Sequence, residues 1–197
     1  MFCMGVDPGV RNLAIAIIDS ETLEIVYLCN KNLFEDDDGT EIEFDQKLVG
    51  YFLERFVTKN KAIFSKCKLF AVEHQIMERM NRIGFGIEAL FSQYGRAITV
   101  HPSSVKAHFG TRKGEYAQNK RAAVAWCNNN LEGVNLARFR EYEQNGLKAD
   151  DIADAILLSR FAIDKKEHLL QIVLKEKGST KSTKQKKKKN KRRRLKK

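Results

Sequence analysis

The sequence predicts a mixed α/β domain: a five-stranded sheet with helices on both faces. Three observations lead there. Three short apolar runs follow one another at the start of the chain without helical spacing. Segments with helical spacing then alternate with two further strand-like runs. Two of the strand-like runs end on a carboxylate, at Asp7 and at Glu73.

In chain order, Phe2–Val6 reads as a short buried strand that stops at Asp7 and turns through Pro8 and Gly9. Leu13–Ile18 and Leu23–Cys29, separated by the turn-rich DSET, form a hairpin beside it. EDDDGT at 35–40 is a loop. Phe44, Leu48, Tyr51, Phe52 and Phe56 fall at helical spacing and predict a first helix. KLFAVE (68–73) is a fourth strand. Ile83, Ile87, Leu90, Phe91 and Tyr94 mark a second helix, and AITVHP (97–102) a fifth strand closed by Pro102. A third helix is expected over roughly 117–131. The segment 132–147 carries no clear period and is read as irregular. Ile152, Ala155, Ile156, Ser159 and Ile163 mark a last helix. No internal repeat is present.

At 197 residues and 43% hydrophobic content the chain can build one core-bearing domain and a tail. The expected division is a folded domain over 1–170 and a disordered basic tail over 175–197. The net charge of +11 is unevenly spread. Residues 175–197 hold fourteen Lys and Arg against one acid, while the remainder holds 22 basic and 24 acidic residues. A near-neutral body with a polycationic tail fits a nucleic-acid partner, because such a tail releases counterions from phosphates. KKKKNKRRRLKK also fits a nuclear localisation signal. No apolar run is long enough to span a membrane, and no basic-then-apolar leader opens the chain, so an intracellular protein is expected, nuclear where the tail serves import. The four cysteines, Cys3, Cys29, Cys67 and Cys127, are scattered without a CxxC, which predicts free thiols and no zinc site.

The chemistry centres on acids. Sites in open α/β sheets gather at the carboxyl ends of strands, where Asp7 and Glu73 stand. On a helical wheel of KADDIADAILLS (148–159), Asp151 lies about 40° beyond the apolar stripe and Asp154 about 60° further round. Asp150 lies nearly opposite and is expected to cap the helix or face water. Four oxygen donors without His or Cys suit a hard cation, Mg²⁺ or Mn²⁺. Two such ions would activate water and stabilise the leaving oxygen of a phosphodiester. Each acid alone has an ordinary reading as a turn or helix-dipole residue.

These residues resemble the RuvC-type Holliday junction resolvases. GVDPGVRNLAIAII resembles the family's opening strand and Asp-Pro-Gly turn, FAVEHQ its second motif, HPSSVKAHFG its Pro-x-x-Val-Lys segment, and KADDIADAILLSRFAIDK its closing helix with a D-x-x-D pair. The last motif, with NKRAAVAWCNNN before it, is closest to the resolvases of poxviruses and other large DNA viruses. The resemblance covers about residues 2–165. It implies an RNase H-like fold, metal binding by Asp7, Glu73, Asp151 and Asp154, and a homodimer that nicks two opposed strands of a four-way junction, leaving 5′-phosphate and 3′-hydroxyl ends.

Lys106 and Lys120 stand nearest the family's phosphate-contacting lysine; Lys106 is carried as the catalytic candidate, and the motif does not choose between them. Lys113 is a third candidate for DNA contact. Arg79 and Arg82 in RMNR are either a DNA-backbone contact or a solvated turn. RIGFG (82–86) reads as a flexible loop. His74 is expected on the face opposite Glu73, and Phe85 and Tyr116 either pack in the core or stack on exposed bases. Two rival readings remain: an RNase H-like nuclease acting on other nucleic acids, and a non-enzymatic DNA-binding protein acting through its tail.

Overall fold

Five strands form one sheet in the order β3-β2-β1-β4-β5. They are β1 (Phe2–Asp7), β2 (Leu13–Asp19), β3 (Ile25–Lys31), β4 (Cys67–Glu73) and β5 (Arg96–Val100). The structure is a computed structural model that describes residues 1–36, 38–75, 78–145 and 147–166, without the side chains of residues 78, 79 and 82. The first three strands form an antiparallel meander, and β4 and β5 continue it in parallel with β1. The expected five-stranded α/β architecture is therefore present. Met1–Ile163 form one compact unit. The expected boundary near 170 and the basic tail lie outside the described residues.

The helices are α1 (Val49–Lys59), α2 (Lys61–Phe64), α3 (Glu78–Phe91), α4 (Pro102–His108), α5 (Tyr116–Asn130), α6 (Gly133–Gln144) and α7 (Ala149–Asp164). Period-2 alternation in the strands divides the core in two. Met4, Val6, Ile15, Ile17, Phe70 and Val72 pack with Phe52, Leu53, Ile87 and Phe91 of α1 and α3 on one face. Cys3, Ala14, Ala16, Leu69 and Ala71 pack with α5 and α7 on the other. None of the described helices is long and apolar enough to cross a membrane.

Four local expectations are corrected. The segment read as irregular contains α6. Its apolar stripe is thin, with Phe139 the one fully buried side chain, so periodicity does not announce it. Its docking rests instead on Asn135, which accepts from the Ile25 N–H at 2.8 Å and donates to the Leu23 carbonyl at 3.0 Å, and on Tyr142, which donates to the Leu28 carbonyl at 2.9 Å. Pro102 opens α4 rather than only closing β5, as suits a residue with fixed φ and no N–H to satisfy. RMNR and RIGFG are helical, within α3, because Ile83 and Ile87 bury against the sheet and carry the glycines along. Phe85 and Tyr116 are not core residues: they are 63% and 74% exposed.

Two glycines set the spacing around the strand ends. A Cβ at Gly5 would lie 2.1 Å from the Ala155 carbonyl oxygen and 2.5 Å from the Ser159 nitrogen. Only a bare backbone lets α7 lie this close to the central strand. A Cβ at Gly9 would lie 2.4 Å from the Asn12 carbonyl oxygen, so Gly9 is what allows the Asp-Pro-Gly turn to close.

Candidate active site

Asp7 and Glu73 are the last residues of adjacent parallel strands, aligned by the pairing of Val6 with Val72. Alternation puts both on the face that carries α7, since Cys3, Gly5 and Asp7 share one side of β1, and Leu69, Ala71 and Glu73 one side of β4. The register of α7 is held by Gly5 and by Ser159, whose hydroxyl donates to the Cys3 carbonyl at 2.9 Å. That register brings Asp151 and Asp154, in the helix's first two turns, to the strand ends. Both acids are buried.

Lys120, from α5, stands at the centre. Its ammonium lies 2.7 Å from Asp151 Oδ1, 2.8 Å from Asp154 Oδ2, 3.6 Å from Asp150 Oδ2 and 3.8 Å from Asp7 Oδ2. Gln75, two residues past the strand end, ties the other side together. Its amide donates to Asp7 Oδ1 at 3.2 Å and to Glu73 Oε2 at 2.9 Å. Asp7, Glu73, Asp151 and Asp154 thus converge on one pocket, as their positions in the sequence predict. Asp150, expected to cap or face water, also turns toward Lys120, although over a third of its side chain stays exposed.

Negative charge dominates here. Burial, then the Glu73 carboxylate, pushes Asp7 well above the usual carboxylate range, and Lys120 offsets this only in part. Glu73 is raised by burial and by Asp154, against the opposing pull of Lys106 and Lys120. Burial alone would lower Lys120, but Asp154, Asp7 and the hydrogen bonds to Asp151 and Asp154 raise it above the ordinary lysine value, so it stays an ammonium.

The donor set is all oxygen, partly buried and short of positive charge, which fits a hard divalent cation. Among the described residues no three Asp, Glu, His or Cys side chains stand as a ready ligand set. The ammonium of Lys120 occupies the gap between Asp151 and Asp154, taking the role of counter-charge there.

Of the other candidates, Lys106 lies on α4, where its charge acts on Glu73. Lys113 sits in the exposed loop before α5, where its backbone N–H donates to Asn119 Oδ1 at 2.7 Å. Arg79 and Arg82 fall in α3, and their side chains lie outside the described ones. His74 is exposed, and its ring stacks on that of His101 with centroids 5.7 Å apart. Gln75 escaped the sequence reading: its signal was only its closeness to Glu73, and the contact with Asp7 spans 68 residues.

The same arrangement of strands and helices occurs in solved structures. The fowlpox virus resolvase, solved in complex with its substrate Holliday junction DNA, matches 84% of this chain over 98% of its own, with 17% identity and a TM-score of 0.59. The yeast mitochondrial Holliday junction resolvase matches 79% of this chain over 76% of its own, at 17% identity and a TM-score of 0.56. RuvC of Thermus thermophilus matches 80% of this chain over 92% of its own, at 15% identity and a TM-score of 0.52. No family model matches the chain, and no curated protein matches it in sequence. At such identities the likeness is one of fold, and the chain has the RNase H-like fold of these resolvases.

Proposed function

We propose that this protein is a divalent-metal-dependent, structure-selective DNA endonuclease that resolves four-way junctions by paired symmetric nicks. The observation that carries the reading is the convergence of Asp7, Glu73, Asp151 and Asp154 on one pocket at the carboxyl ends of β1 and β4. The fold likeness to resolvases supports it, two of them from a virus and a mitochondrion.

The four carboxylates would hold Mg²⁺ or Mn²⁺, two ions per site. Bound there, the metal supplies a water nucleophile at neutral pH and stabilises charge on the scissile phosphate. Gln75 fixes the orientations of Asp7 and Glu73 through its two amide hydrogens. Lys120 brings a permanent positive charge into the pocket, where it can pair with a phosphate oxygen. Hydrolysis adds the water oxygen to phosphorus and breaks the bond to the 3′ oxygen, which leaves as a hydroxyl.

Paired nicks need two sites a fixed distance apart, so the active form is a homodimer with branched DNA as its partner. Selectivity is then for shape, because a junction can bring two equivalent phosphates to both sites and a linear duplex cannot. Phe44 and Leu48, before α1, and Tyr51, in its first turn, are exposed apolar side chains available to a protein contact.

The test is incubation of the full chain with an end-labelled four-way junction and Mg²⁺ or Mn²⁺, beside linear duplex and RNA–DNA hybrid. Symmetric nicks on the junction alone are expected. Equal cutting of the hybrid or the duplex points to a different RNase H-like nuclease. Binding without cutting, unchanged by Asp7→Asn, points to a DNA-binding protein.

A further inference from the structure

One face of α5 opens a groove of about 740 Å³, lined by Tyr116, Ala117, Arg121, Val124 and Ala125. It shares Lys120 and Asp150 with the carboxylate pocket, so the two are continuous. The buried side of α5 is carried by Ala123 and Cys127; on the groove side Ala117, Arg121 and Ala125 are exposed, while Val124 packs partly on the core. Its small side chains give depth along successive turns. Tyr116 stands at the rim, 74% exposed. The Lys120 ammonium lies 5.9 Å from its ring centroid, within cation–π range.

We propose that this groove is the subsite for the nucleotide beside the scissile phosphate, with Tyr116 as the residue that stacks on its base. The inference rests on the nuclease reading above. A phosphate paired with Lys120 brings the adjoining base to within reach of the Tyr116 ring, because the ammonium lies over that ring at 5.9 Å from its centroid. Every base offers a π-face, so stacking gives affinity with little sequence demand. Arg121, one turn along the helix from Ala117, supplies donors to base edges, which favours some bases over others. Asn128, further along, is already engaged: its amide nitrogen donates to Glu143 at 3.1–3.2 Å and its oxygen accepts from Arg140 at 3.4 Å. The preference for particular cut sites therefore arises at the Tyr116 end.

The test uses the full chain carrying Asp7→Asn, in Mg²⁺, with four-way junctions that hold 2-aminopurine on either side of the cut. With Tyr116 or Tyr116→Phe, binding quenches the fluorophore on one side of the cut. Tyr116→Ala abolishes that quench and weakens junction binding by roughly tenfold, the worth of one base–aromatic stack. With Asp7 intact, Arg121→Ala flattens the base preference among junctions that differ beside the cut. Undiminished quench and affinity in Tyr116→Ala, or an undiminished base preference in Arg121→Ala, overturn the inference and leave the nuclease reading standing. Equal losses in Tyr116→Phe overturn it too, since the hydroxyl and not the ring face would then be at work. Failure of the Asp7→Asn chain to bind any junction overturns the nuclease reading and the subsite with it.

Discussion

Ser159 donates to the backbone carbonyl of Cys3 at 2.9 Å, a bond between residues 156 positions apart that pins α7 along β1. With Gly5 it sets how far along the strand the acids of α7 lie. The geometry of the pocket is thus decided several residues away from it. Gly5→Ala places a methyl against the Ala155 carbonyl, and since rigid backbone must move, a loss of about 3 kcal/mol is expected. Ser159→Ala should lose about 1 kcal/mol, one hydrogen bond's worth. Urea unfolding of both variants measures this, and Gly5→Ala should lose nuclease activity even at temperatures where it is folded.

Mg²⁺ or Mn²⁺ should stabilise the folded protein, because the carboxylates meet only when the chain is folded. At a hundredfold excess over its dissociation constant, the ion adds about 2.7 kcal/mol, a rise of roughly 5–10 °C in melting temperature for a domain of this size. Asp7→Asn and Asp154→Asn should reduce the shift sharply and abolish cleavage while leaving the chain folded. A full shift in both variants would mean the ion binds elsewhere.

Acidity should act in opposite directions on the metal-free and metal-bound forms. Asp7 and Glu73 are raised in the folded state, so the folded protein holds their protons more tightly than the unfolded chain does. Without metal their charge repulsion is present above the raised values. It is relieved as pH falls through them, and the gain is complete below the unfolded values of 3.8 and 4.5. Melting temperature in EDTA should therefore rise from neutral pH toward the upper carboxylate range before general acid unfolding intervenes. Protons compete with the cation for the same oxygens, so the Mg²⁺-induced shift should shrink over that range. Asp7→Asn should flatten both trends.

Lys120 and Lys106 should separate cleanly. Lys120→Met removes the ammonium among buried acids and should cost about 3 kcal/mol in EDTA, largely restored by Mg²⁺. Lys106→Ala should leave stability within about 1 kcal/mol of the parent, because its charge acts on Glu73 from a partly exposed position. Thermal melts with and without Mg²⁺, beside junction-cleavage rates, test both.

Deleting 175–197 removes fourteen basic side chains and one acid. Junction and duplex binding should both weaken, and the dependence of affinity on salt should become shallower, as fewer counterions are released. Preference for junction over duplex should persist, because the proposed shape selection rests on paired active sites and not on the tail. Lost preference with unchanged affinity would contradict this.

Much of the pocket was legible in the chain because its rules are local. FCMGVD and KLFAVE each end an apolar run on an acid, which puts Asp7 and Glu73 at the ends of their strands, and the wheel of KADDIADA turns Asp151 and Asp154 to one edge of the last helix. Gln75 and the choice of Lys120 over Lys106 for the centre were not legible. Each depends on distances between elements that no spacing encodes. α6 was missed for a related reason: Asn135 and Tyr142 hold it to β3 through hydrogen bonds, which leave no periodic trace.

By itself, then, the amino-acid order determined the five strands, the acids at their ends and the oxygen-only chemistry, because backbone periodicity and side-chain type are properties of short stretches. Tertiary structure alone decided that β1 lies beside β4, that α7 slides along Gly5 to the position where its acids reach the strand ends, and that one lysine sits among four carboxylates. Those outcomes arise from steric contact and Coulomb forces between segments far apart in the chain, which act only once the chain is folded.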